Sequence, residues 1–113
     1  DLNATKAQVV LKLSRLVQFQ NDIKRAYDFL SDKLQSQKDT LNVKNGLEQV
    51  SSNATRANEL IEKLIVSINT LDLSEIRQSQ FFEKSVESMT TIKSLQSRSI
   101  DIIVELDTNY VAR

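Results

Sequence analysis

The chain has 113 residues, enough for one domain with a modest core. Its 15 basic and 15 acidic side chains cancel, and the only adjacent basic pair is Lys24-Arg25, so charge gives no ground for a nucleic-acid or anionic-membrane partner. Cysteine and histidine are both absent, which removes disulfides, thiolate metal sites, cysteine nucleophiles and the commonest general base and transition-metal ligand.

The first segment carries an apolar stripe at Val9, Leu13, Leu16, Gln20, Ile23, Tyr27, Leu30, Leu34, Gln37 and Leu41. Its steps alternate between four and three residues, the spacing that holds one helix face against a partner helix. With no proline in the chain and a single glycine, Gly46, little interrupts the pattern. The spacing predicts one helix over about 3–37, with Asn3 or Thr5 as its cap. Val10 and Val17 widen the stripe on one side, Phe19 and Ala26 on the other, so this helix is expected to meet two neighbours.

A second stripe follows at Val43, Leu47, Val50, Ala54, Ala57, Ile61, Leu64, Ile68 and Leu71. Its phase does not continue the first, so the chain must break between them. A turn near 36–40, with Asp39-Thr40 opening the next helix, predicts a second helix over about 40–70 and leaves Gly46 inside it at a cost of about 1 kcal/mol. Asn45-Gly46 is the competing break. A further nick at Ser51-Ser52-Asn53 would make four helices.

The third segment is predicted over 73–111. Asp72 stands three residues before Glu75, the spacing of a capping box, and Leu71 and Ile76 are placed as a hydrophobic staple. The stripe reads Phe82, Ser85, Met89, Ile92, Gln96, Ser99, Ile103, Leu106 and Tyr110, broadened by Val86, Leu95, Ile100 and Ile102. From Ile100 to Leu106 the chain is mostly apolar, which describes a buried helix end or a surface awaiting a partner. These readings define an all-α, antiparallel three-helix bundle with coiled-coil-like packing, in one domain over 1–113. Because it begins at Asp1, the chain is expected to be excised from a larger protein. In length and helix count alone it is similar to spectrin-like repeats and to the regulatory domains of syntaxins. The tryptophan usual in spectrin repeats is missing, and no residue role carries over.

The polar stripe positions Gln20, Gln37, Ser85, Gln96 and Ser99 depart from the pattern. Polar residues on a core face lower stability but fix register and partner choice, and in a sensor they could line a small polar pocket. Tolerance of solvent near helix ends is the plainer reading, least so for Gln20, deep in the first helix. Asp101, Glu105 and Asp107 form the densest acidic group, but no oxygen-rich loop motif accompanies them, so a solvated face is expected instead of a metal site. A hydroxyl nucleophile would lack an activating base, and one glycine cannot build a phosphate loop. No enzyme activity and no cofactor are expected. Asn3-Ala4-Thr5 and Asn53-Ala54-Thr55 match the glycosylation pattern at the frequency chance allows.

The leading expectation is an interaction module, a scaffold, adaptor or tether that binds other helical proteins or itself through apolar seams. The candidate partner or ligand surface comprises Gln20, Phe29, Gln96, Ile100, Ile102, Val104 and Leu106. The alternative is the extracytoplasmic sensor domain of a membrane receptor, which suits a cysteine-free helical bundle. A domain between two membrane spans needs an even number of antiparallel helices, and three helices argue against it. Lack of cysteine favours the cytosol slightly, with a bacterial periplasm as the alternative. No membrane insertion by this segment is expected, since no stretch approaches roughly 20 apolar residues. Binding of opened amphipathic helices to lipid is disfavoured by the missing tryptophan and the absence of flanking basic residues.

Overall fold

The structure, a computed structural model, describes residues 2–70 and 75–111. Three long helices account for nearly all of them: α1 (Leu2–Lys33), α2 (Leu41–Asn69) and α3 (Glu75–Leu106). All three pack against one another, with the α2–α3 contact the most extensive and α1–α2 the least. Gln96 of α3 meets Gln20 of α1, and Tyr110 beyond α3 meets Gln37 beyond α1, so these two helices run parallel. Gly46, early in α2, lies against Ile102 and Leu106, late in α3, so α2 runs opposite to both. The result is an up-down-up rod measuring 56 × 19 × 17 Å.

The break expected near 36–40 is where the chain turns. After Lys33 it passes through a short 3-10 turn, Gln35–Gln37, and Thr40 takes an extended conformation (φ −68°, ψ 124°) before α2 begins. Backbone bonds bridge the whole turn: Gln37 N–H to Leu34 O, Thr40 N–H to Gln37 O and Lys44 N–H to Thr40 O, each 2.9 Å. No described residue needs a positive φ, so the turn forms without glycine or proline. That is why its position was ambiguous against Asn45-Gly46. Both Gly46 and Ser51-Ser52-Asn53 lie inside α2, and the four-helix alternative does not occur. Gly46 serves packing instead. A Cβ there would stand 2.9 Å from Leu106 Cδ1 and 3.3 Å from Ile102 Cγ2, so its absence lets α2 and α3 approach closely.

Several expectations need correction. Asn3 and Thr5 do not precede α1, which already runs from Leu2; they sit within its first turns. Leu41 is exposed (68%), because the turn ends the first stripe at Leu34 and Leu41 opens α2 on its outer face. On α3 the buried phenylalanine is Phe81 (7% exposed), while Phe82 is 46% exposed. Phe81 stands four residues before Ser85 and eight before Met89, which keeps it on the buried face, whereas Phe82 rotates onto the flank. The helix also ends differently: Asp107–Val111 continues α3 as a π-helical turn. The Asp72 cap and the Leu71–Ile76 staple lie outside what the structure describes.

The remaining stripe positions of α1 and α2 turn inward as spaced. Two apolar packets result. One joins Val9, Leu13 and Leu16 of α1 with Ile61, Leu64 and Ile68 of α2 and Phe81, Met89 and Ile92 of α3. The other joins Leu30 and Leu34 with Val43, Leu47 and Leu106, and takes in Tyr27, Tyr110 and Val111 at its edge. At the far end Gln37 Nε2 donates to the Tyr110 carbonyl and Asn42 Nδ2 donates to the Tyr110 hydroxyl, both at 3.4 Å, tying the π-turn to the α1–α2 connection.

Candidate functional site

Helix α1 is flanked by two open seams, and the residues that widen its stripe line them. On the α2 side, Val10 and Val17 face Ile65 across a groove of about 470 Å³ floored by Leu13 and Ile68 and free of charged side chains. Further along the same seam, Gln20, Ile23 and Tyr27 face Val50 and Ala54 across about 240 Å³. Toward the α1–α2 turn the seam becomes charged, with Lys38, Lys44 and Glu48 around about 430 Å³. On the α3 side, Phe19 and Leu16 face Gln96 and Ile100 across about 450 Å³, flanked by Arg15, Lys93 and Asp101.

These grooves follow from helical geometry. Val10 and Val17 are seven residues apart and share one flank of α1, while Phe19 and Ala26 share the other. Each flank is a step away from the buried face, so its side chains are half-covered by the neighbouring helix. Val10, Phe19 and Ile65 are each 41–42% exposed. The broad face of α1 therefore does meet two neighbours, and each of its edges stays open.

The sequence-derived surface divides into parts. Gln20 and Gln96 are buried (6% and 3% exposed) and bonded to each other, a layer inside the bundle whose edges reach the grooves on either side of α1. Gln96 Nε2 donates to Gln20 Oε1 at 3.1 Å and to the Leu16 carbonyl oxygen at 2.9 Å. Leu106 is core, and Ile102 packs against the same packet, because Gly46 brings α2 close to them. Of the run from Ile100 to Leu106 only Leu106 is fully buried; Ile100, Ile102 and Ile103 are partly covered. Ile100 is half-buried in the groove beside Phe19, and Val104 is exposed. Phe29 is exposed, with Lys33 Nζ 5.5 Å from its ring centroid. It lies on the far side of α1, apart from both grooves. Ile65 was missed; its signal is a position four residues after Ile61 and three before Ile68, on the edge of the α2 stripe.

Among the described residues, Asp101 and Glu105 are exposed, and no group of three or more His, Cys, Asp or Glu side chains could hold a metal ion. Ion pairs such as Lys24–Asp28 and Arg25–Asp22 are local to one helix and solvent-exposed, worth little to stability. No described helix is long and apolar enough to cross a membrane.

Fold and grooves together define an all-α three-helix bundle with a buried amide layer and partly open apolar seams on both sides of its first helix. None of the protein families, characterised proteins or solved structures compared with the chain matches it.

Proposed function

We propose that this protein is a non-enzymatic interaction module that binds helices, of another protein or of a second copy, through the seams beside α1. One observation carries the reading: the uncharged α1–α2 groove walled by Val10, Val17 and Ile65, whose apolar side chains remain half-exposed in the folded chain. Apolar walls with few polar contacts suit a helix that presents residues at steps of three and four. The lack of histidine and cysteine supports a role without catalysis.

A photo-crosslinking residue at Val17 or at Phe19 tests this in cells, with the exposed Glu62 of α2 as control. Crosslinks to a helical protein or to a second copy are expected from the groove positions and not from Glu62. The double change Val10→Lys/Ile65→Lys should remove those formed at Phe19 only if both seams serve one partner, and those formed at Val17 in every case, with helix content retained by circular dichroism. A folded protein that yields no groove-specific crosslink would refute the proposal.

A further inference from the structure

The buried polar side chains lie on α1 and α3. α2 buries only apolar side chains, from Val43 to Ile68. α1 buries one polar residue, Gln20, and α3 buries Ser85, Gln96 and Ser99. Of these, the two glutamines meet. They lie between the two apolar packets, after Leu16 and Leu95 of one and before Leu30 and Leu106 of the other.

A heptad stripe has an intrinsic ambiguity. Sliding α1 along α3 by seven residues, about 10.5 Å, brings an apolar side chain back to nearly every site it vacates. Leu13 or Tyr27 would then occupy the site of Gln20. α2 offers no polar side chain on its buried face to oppose such a slip. Ser85 cannot oppose it either, since its hydroxyl is buried without a partner in the native register. The amide contact does discriminate. A heptad slip carries Gln20 to the site of Leu13 or Tyr27, away from Gln96, so the amide–amide bond is lost and Gln20 loses its partner, while Gln96 keeps only a main-chain carbonyl, that of Val9 or Ile23 in place of Leu16.

We infer that the Gln20–Gln96 side-chain contact is a register lock that fixes α1 against α3 in a bundle whose apolar packing alone permits a heptad slip. Its cost is the burial of two amides where aliphatic side chains would pack; its return is a single arrangement. The inference stands independently of the proposed function, since it concerns contacts within one chain.

The test uses the absence of cysteine. Ser97→Cys, on the exposed edge of the groove beside Phe19, provides a single nitroxide site. In the otherwise native chain, paramagnetic broadening along α1 should centre on Phe19. Gln20→Met/Gln96→Met keeps side-chain volume and removes the amides. This double variant should show a second broadening maximum one heptad away, near Lys12 or Ala26, and more than one set of amide resonances. Gln20→Met alone should melt below both the native chain and the double variant, because it leaves the buried Gln96 amide without its side-chain partner. A double variant with one resonance set and one maximum at Phe19 overturns the inference. So does a single variant that melts no lower than the double. Should the methionine pair fail to fold, Gln20→Ala/Gln96→Ala in the same labelled background gives the same reading. Failure of both to fold also overturns it, since a register lock is not needed for helices to pack.

Discussion

Ser85 sits on the buried face of α3 between Phe81 and Met89, 1% exposed, and its hydroxyl has no hydrogen-bond partner. A buried donor left unsatisfied loses its hydration without compensation, and serine is also a weaker helix former than alanine. Ser85→Ala is therefore expected to stabilise the protein by about 1 kcal/mol, raising the melting temperature by roughly 4 °C for a domain of this size. A fall in melting temperature on a circular-dichroism scan would mean that the hydroxyl has a use the packing does not reveal. Gly46 is the opposite case. Its lack of a side chain admits Leu106 and Ile102, so Gly46→Val should cost about 1–3 kcal/mol by overpacking, despite removing a glycine from a helix interior. Chemical denaturation measures this, and an unchanged midpoint would show that α2 and α3 can separate freely at that point.

At the scale of the helices, burial decides which apolar residues matter. Ile92 of α3 is completely buried in the larger packet, and Ile92→Ala should cost about 2–5 kcal/mol. Phe29 of α1 is 55% exposed, and Phe29→Ala should stay within about 0.5 kcal/mol of the native chain. Urea titration of the two variants side by side checks the contrast; equal losses would contradict the assigned faces of α1 and α3. These faces were largely legible in the sequence. Val9 to Leu34 and Val43 to Ile68 turn inward because heptad spacing and helix geometry impose the same answer. The phenylalanine pair was misread because either ring can join the stripe by a step of three or four, and only packing against α1 and α2 selects Phe81. The 3-10 turn and the π-turn left no mark, since neither uses glycine, proline or a positive φ. Of the candidate surface, the flanks Val10, Val17 and Phe19 could be read from phase. The meeting of Gln20 with Gln96 could not, because a contact across 76 residues depends on register that no local pattern contains.

The whole molecule is a rod. Its radius of gyration is 17.3 Å, against about 13 Å expected for a compact domain of this length. Small-angle X-ray scattering of the isolated chain should give a radius close to that of the rod, with a distance distribution skewed toward long separations. A value near that of a sphere would exclude the extended up-down-up arrangement. The parallel course of α1 and α3 has a mechanical side as well. A tensile load applied between the start of α1 and the end of α3 is carried along the seam as shear, shared by all the side chains packed between those helices. A bundle whose two loaded ends lay at one pole would instead peel apart turn by turn, exposing its core in sequence and yielding at a lower force.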